Sequence, residues 1–157
     1  MLRVSIYKFI VSIGLCFIVA FLGSVVTLSS ISTWYASLNK PFFNPPNFIF
    51  GPVWTVLYFL MGVSLYIVWN KNLKNKKDKA IKVFALQLVL NLLWSLVFFG
   101  LHQPLLAFIV IVMLWIAIFM TIKHFYKVSK LSAYLLIPYI LWVSFAAFLN
   151  LFIVLLS

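Results

Sequence analysis

Acidic residues are almost missing from this sequence. Its 157 residues contain 12 lysines and arginines but only one carboxylate side chain, Asp78. Acid–base catalysis by a carboxylate pair, and Mg²⁺ or Ca²⁺ sites built from carboxylates, need more than one such group. The sequence therefore excludes both kinds of site.

Cysteine, histidine and glycine motifs are also scarce. Cys16 is the only cysteine, so a disulfide framework is excluded. The two histidines, His102 and His124, end hydrophobic runs on opposite membrane faces and cannot share a metal ion. There is no Gly-rich phosphate loop and no nucleophile elbow. We expect no metal site and no required cofactor.

Long polar stretches are missing because apolar residues fill the chain. Hydrophobic residues make up 66% of it and charged residues 8%, and the mean hydropathy is +1.20. Apolar runs of about 18 residues or more indicate membrane-spanning helices. We therefore predict an all-α integral membrane protein, one membrane domain over residues 1–157, with five transmembrane helices. The predicted spans are residues 9–28, 49–69, 80–101, 105–122 and 131–156.

The basic residues lie between these spans on alternating sides. Eleven belong to the N-terminus, to the lysine-rich loop around 70–79 and to the loop 123–130, whereas Lys40 alone lies on the other side. Cytoplasmic loops are enriched in lysine and arginine. This asymmetry predicts a cytoplasmic N-terminus and lysine-rich loop, and it argues against a nucleic-acid partner. Contact between the lysines and anionic lipid headgroups is an alternative role.

Prolines concentrate between the first two spans. Pro41, Pro45 and Pro46 fall within six residues and cannot lie inside one helix, because proline removes a donor and restricts the residue before it. We predict a structured proline–aromatic loop over 29–48, outside the membrane. Pro52 suits the first turn of the next helix, and Pro138 should kink the last span.

Polar and aromatic side chains recur at helical spacing on three spans. The stripes are Trp54, Tyr58, Met61 and Leu65; Gln87, Asn91, Trp94 or Ser95, and Phe98; and Tyr139, Trp142, Ala146 and Asn150. Pointed inward together they would line an apolar cavity with a few polar groups, as small-ligand pockets do. The alternative is that the amides hydrogen-bond between helices and the rings only pack. Trp115 has no polar neighbour at helical spacing and is expected to face lipid or to pack.

Three segments resemble the translocator protein family, also known as tryptophan-rich sensory proteins (TspO/MBR, peripheral-type benzodiazepine receptor). The first is WYASLNKPFFNPPNFIFGPVWTVLYFLMG, from Trp34 to Gly62. The others are QLVLNLLWSLVFFG, from Gln87 to Gly100, and PYILWVSFAAFLN, from Pro138 to Asn150. Together they cover about a third of the chain, in the order expected for a bacterial member.

The resemblance implies a five-helix bundle, commonly a homodimer, in a bacterial cell membrane. It implies a receptor or sensor whose intrahelical cavity, closed by the first loop, binds tetrapyrroles such as protoporphyrin IX and haem, or isoquinoline- and benzodiazepine-type ligands. The residues that the resemblance places at the cavity are Tyr35, Pro45, Trp54, Tyr58, Asn91, Trp94, Ser95, Trp142 and Ala146. The polar stripe adds Gln87 and Phe98. For ligand propionates the outer loop offers only Lys40.

Two other functions stay open at this point. Light- and oxygen-dependent porphyrin breakdown, which the resemblance also implies, would use Trp54 and Trp142 as the catalytic residues. The other alternative is transport of porphyrins or amphiphiles. The sequence departs from the family at Phe43, where many relatives carry tryptophan, and at the C-terminus, which lacks the sterol motif of the animal proteins.

Overall fold

The fold is a bundle of helices. A computed structural model describes residues 5–157, so Arg3, one of the predicted N-terminal charges, lies outside the described residues. The helices are α1 (Ile6–Ile31), α2 (Asn47–Trp69), α3 (Lys74–Ser95), α4 (Pro104–Val128), α5 (Lys130–Tyr134) and α6 (Ile137–Leu156). A 3₁₀ turn (Tyr35–Ser37) and a π-helical turn (Leu96–Gly100) complete the described secondary structure.

Within residues 5–157, five helical segments are long and apolar enough to cross a membrane. The fifth consists of α5 and α6 together. The predicted all-α, five-helix membrane fold is thereby confirmed. The expected distortion near Pro138 is present as well, because the fifth segment breaks at residues 135–136 and Pro138 lies in the first turn of α6.

The helices extend further than hydropathy predicted. α1 continues to Ile31 and α2 begins at Asn47, so the proline–aromatic loop is residues 32–46 rather than 29–48. α3 begins at Lys74, inside the predicted lysine-rich loop, and α4 runs through Lys127 to Val128. Hydropathy marks only the apolar part of a helix, whereas lysine is itself a good helix former.

The two ends of the bundle differ. At the lysine-rich end, residues 70–73 join α2 to α3 and Ser129 joins α4 to α5; at the loop end, residues 32–46 join α1 to α2.

α1 packs on α2 near the lysine-rich end, where a Cβ on Gly62 would lie 2.9 Å from the Ile13 Cα atom. Toward the loop end α1 packs instead on α3, with Gly23 facing Ser95. α1 and α2 therefore diverge toward the loop end.

Trp115 is not simply lipid-facing. Its Nε1 donates a hydrogen bond to the Ser144 Oγ atom on α6 at 2.8 Å. The ring also stacks on Phe119 at 5.8 Å between centroids, as the expectation that it faces lipid or packs allows. Its hydrogen bond could not be predicted, because sequence spacing reveals only neighbours on the same helix. The bond joins α4 to the middle of α6.

Candidate ligand cavity

A cavity of about 510 Å³ occupies the space between the diverging helices at the loop end. Its α1 wall is Phe17, Ala20, Phe21, Gly23, Ser24, Thr27, Leu28 and Ile31, and its α2 wall is Asn47, Phe48, Phe50, Gly51, Trp54, Thr55 and Tyr58. The remaining lining is Tyr35, Trp94, Ser95, Phe98, Phe99, Trp142, Ala146, Leu149, Asn150 and Ile153. No lysine, arginine, histidine or acidic residue lines it within the described chain.

The proline–aromatic loop closes the cavity toward water. Tyr35 is buried, and its hydroxyl donates to the Asn44 Oδ1 atom at 2.8 Å. Burial raises the pKa of Tyr35 to about 12, against a smaller lowering effect of the Asn44 hydrogen bond. The Lys40 ammonium donates to the carbonyls of Tyr35 and Leu38 at 2.9 and 3.2 Å and lies 4.9 Å from the Tyr35 ring centre. Lys40 therefore stabilises the loop instead of standing free for a ligand carboxylate.

A stacked pair joins this loop to the short connection between the π-helical turn and α4. The rings of Trp34 and His102 stack at 4.4 Å between centroids, and the Ser30 Oγ atom lies 3.1 Å from the His102 Nε2 atom. His102 adopts a φ of 56°, a left-handed conformation that can follow a helix end. The loop is therefore held by side chains from two connections.

The π-helical turn shapes one wall. The Leu101 backbone N–H donates to the Leu96 carbonyl at 2.9 Å, which is the wider i→i+5 spacing. Phe98 and Phe99, consecutive in sequence, both line the cavity, and their rings lie 4.8 Å apart.

Buried hydrogen bonds connect α2, α3 and α6 beneath the cavity. The Tyr58 hydroxyl donates to the Asn91 Oδ1 atom at 2.5 Å, and the Asn91 amide donates to the Tyr139 hydroxyl oxygen at 2.8 Å. The Tyr139 hydroxyl in turn donates to the Gln87 Oε1 atom at 2.7 Å. Such groups need partners in an apolar interior, and here they satisfy each other.

The polar groups of the lining differ in whether they are already bonded. The Trp94 Nε1 donates to the Asn150 Oδ1 atom at 3.0 Å, and the Trp142 Nε1 is covered by protein and has no partner among the described residues. The hydroxyls of Ser24, Thr27 and Thr55 donate to carbonyls of their own helices. Within the described residues, the lining side chains with reachable and unbonded polar atoms are Asn47, Trp54 and Ser95.

The cavity opens sideways between α1 and α2. Lining residues on this side are exposed, with Phe21 at 66%, Leu28 at 70% and Phe48 at 77% of their maximal surface. Ser24 and Thr55 are exposed on the same two walls. Because both helices are long and apolar enough to span a membrane, this mouth faces the hydrocarbon of the bilayer.

Eight of the eleven predicted site residues line the cavity. They are Tyr35, Trp54, Tyr58, Trp94, Ser95, Phe98, Trp142 and Ala146. Pro45, Gln87 and Asn91 do not: Pro45 belongs to the covering loop, and the two amides are bonded beneath the floor. Met61 and Leu65, of the α2 stripe, are likewise buried core residues outside the lining. Phe43 also lies outside the lining and packs on Phe145 and Phe152.

The α1 wall was not predicted. Its small residues Ala20, Gly23, Ser24 and Thr27 recur at helical spacing on α1. The spacing shows that they share a face. That the face borders a cavity depends on where α2 diverges.

Known proteins match this chain along nearly its whole length. The TspO/MBR family model matches residues 12–156. The Tryptophan-rich protein TspO of Archaeoglobus fulgidus is 47% identical over 154 residues, which is 98% of this chain and 99% of that protein. The human Translocator protein is 39% identical over 133 residues, covering 83% of this chain and 78% of that protein.

A third relative is named as a sensory protein. The Tryptophan-rich sensory protein of Cereibacter sphaeroides is 35% identical over 117 residues, covering 74% of this chain and 72% of that protein. These matches agree with the five-helix fold and with the segments on which the resemblance depended. The chain belongs to the TspO/MBR family.

Proposed function

We propose that this protein is a membrane receptor or sensor that binds a tetrapyrrole, such as protoporphyrin IX or haem, or a related flat apolar ligand. The observation that carries the proposal is the aromatic cavity, which the loop closes toward water and which opens toward lipid. Its volume of about 510 Å³ lies in the range of roughly 300–1,000 Å³ found for small-molecule and cofactor sites.

A flat conjugated ring suits this lining. Trp54, Trp94, Phe98 and Trp142 present aromatic surface from three helices, and burial of apolar area contributes about 25 cal/mol per Å². Trp54 and Ser95 supply unbonded polar atoms inside the cavity. The macrocycle would insert its apolar part and leave its charged propionates at the mouth, since no charged side chain lines the described cavity.

Titration of purified protein with protoporphyrin IX tests this proposal. Trp54→Phe removes a free donor, so we expect about fivefold weaker binding, equivalent to one hydrogen bond of about 1 kcal/mol. Trp142→Phe should weaken binding less, because its N–H is already covered. Trp115→Phe, which is outside the cavity, is the matched control. An unchanged Kd in both cavity variants would overturn the cavity assignment.

The propionate charges of the ligand provide a second test of the proposal. Because Lys40 is bonded to loop carbonyls, we expect Lys40→Gln and the dimethyl ester of protoporphyrin IX to change Kd by less than about fivefold, the limit for an exposed ion pair of about 1 kcal/mol. A much larger loss with the ester would show that a cation we have not identified holds the propionates.

Porphyrin breakdown is the second candidate function. Trp54 on α2 and Trp142 on α6 line the same cavity, so one bound macrocycle could contact both rings. The test is illumination of the bound porphyrin in air and under argon, with Trp54→Phe and Trp142→Phe alongside. Breakdown should need oxygen and be slower in both variants; a rate equal to that of free porphyrin with tryptophan in detergent would remove this candidate.

Transport is disfavoured by the packing below the cavity. The hydrogen-bonded residues Tyr58, Asn91 and Tyr139 close its floor, and Phe84 and Phe125 stack further toward the lysine-rich end. Porphyrin flux into proteoliposomes at the rate of protein-free vesicles is the expected result.

A further inference from the structure

A second cavity, here called the basic cleft, lies at the end of the bundle opposite to the ligand cavity. It has a volume of about 170 Å³ and is lined by Lys76 and Lys79 of α3 and by His124 and Lys127 of α4. Liquid water occupies about 30 Å³ per molecule, so this space equals roughly five or six waters. A phosphate group, with five heavy atoms, is of comparable size.

The protein supplies no counter-charge for this cleft. Asp78 is the only acidic side chain in the chain, and it is exposed, outside the lining, and without an ion pair among the described residues. The C-terminal end of α6 lies at the far side of the bundle, where Asn39 of the loop donates to the Leu156 carbonyl. Three lysines on two neighbouring helices make the electrostatic potential at this end of the bundle positive, so an anion from outside the protein would be bound favourably.

The cleft lies at the level where lipid headgroups are expected. Trp69, Tyr126 and Tyr134 lie at this end of the helices, and tryptophan and tyrosine favour the membrane interface. α3 begins at Lys74 without a capping side chain, so the unbonded N–H groups of its first turn add partial positive charge beside Lys76. Both features favour an anion held at the membrane surface.

We propose that Lys76, Lys79, His124 and Lys127 form a binding site for the phosphate of an anionic phospholipid headgroup. The acyl chains of this lipid would lie along the apolar surfaces of α3 and α4, where Leu86, Val89 and Met120 are exposed. Basic pockets between transmembrane helices at a membrane surface are suited to this ligand class. The site is separate from the ligand cavity and does not depend on its function.

Two charge-matched double variants test the site. Lys76→Gln with Lys127→Gln removes one lysine of the cleft from each helix. Lys82→Gln with Lys123→Gln removes one exposed lysine from each helix outside the cleft. The protein is held in micelles of short-chain phosphatidylcholine. Binding of added phosphatidylglycerol is then measured as the increase in the Tm of the protein. At about fivefold per lysine near the surface, we expect roughly 25-fold weaker binding in the cleft variant and little change in the control.

Three outcomes decide the proposal. Selective loss in the cleft variant supports it, provided that the Tm measured without phosphatidylglycerol is unchanged as a check on folding. Equal loss in both double variants would mean unspecific attraction to a basic surface and would overturn it. An equal shift produced by inorganic phosphate without phosphatidylglycerol would overturn the assignment to a lipid, because the phosphate would then come from solution.

Discussion

Two tryptophans of the ligand cavity differ in the state of their indole N–H groups. The Trp94 Nε1 donates to the Asn150 Oδ1 atom, whose amide donates in turn to the Pro104 carbonyl at 2.9 Å. The Trp142 Nε1 is equally covered but has no partner among the described residues. A buried donor without a partner costs about 1–3 kcal/mol, so these two rings contribute differently to stability.

Replacing each ring with phenylalanine separates the two cases. Trp94→Phe leaves the Asn150 oxygen without its donor and should lower the free energy of unfolding by about 1–3 kcal/mol beyond the loss of ring volume. Trp142→Phe removes the unsatisfied donor together with similar volume and should stay within about 1 kcal/mol of the parent. Thermal unfolding of ligand-free protein in detergent measures both. A larger loss for Trp142→Phe would contradict this interpretation.

At the scale of the helices, the divergence of α1 from α2 decides how the cavity is reached. Gly62 lets α1 approach α2 closely near the lysine-rich end, whereas Gly23 directs α1 toward α3 near the loop end. The resulting mouth lies between Ser24 and Thr55, and the loop covers the aqueous side. A ligand dissolved in the bilayer would therefore enter from the side.

Obstruction of the mouth tests this route. We expect Ser24→Trp and Thr55→Trp to slow ligand association and dissociation by about tenfold each, equivalent to 1.4 kcal/mol added to the barrier, with Kd little changed. Val25→Trp and Val56→Trp are matched controls, because these neighbours are exposed but do not line the cavity. Stopped-flow porphyrin fluorescence gives both rates. Unchanged rates at Ser24 and Thr55, with slower rates after cross-linking of the loop, would favour entry through the loop.

At the scale of the whole molecule, charge placement predicts the orientation in the membrane. Among the described residues, ten lysines belong to the lysine-rich end and Lys40 alone to the loop end. Lysine- and arginine-rich short loops tend to stay in the cytoplasm, so we predict that the proline–aromatic loop lies outside.

Single cysteines at the two ends test the orientation. In a Cys16→Ser background, Asn39→Cys in the loop should react with a membrane-impermeant maleimide on intact cells. Asn72→Cys, in the turn between α2 and α3, should react only after the cells are permeabilised. Both positions are exposed. Labelling of Asn72→Cys alone on intact cells would reverse the predicted orientation.

The membrane fold and its approximate spans follow from the amino-acid sequence without further information. Apolar runs of this length have few alternatives, since every backbone N–H and C=O in a bilayer must be hydrogen-bonded within a helix or a barrel. The prolines likewise predicted the loop and the break near Pro138, because proline acts on the backbone locally. Helical spacing also selected Trp54, Tyr58, Trp94, Ser95, Phe98, Trp142, Ala146 and Asn150, which line the cavity.

The surroundings of each polar group, by contrast, depend on how the helices pack together. Gln87 and Asn91 share a helix face with Trp94 and Phe98, yet the amides bond beneath the floor while the rings line the cavity. Sequence spacing also does not predict three other features: the α1 wall, the hydrogen bonds of Lys40 and the basic cleft between α3 and α4. Spacing assigns residues to a face of one helix, but the distance between helices changes along their length. That distance is set by contacts far apart in the chain, such as Gly62 against Ile13.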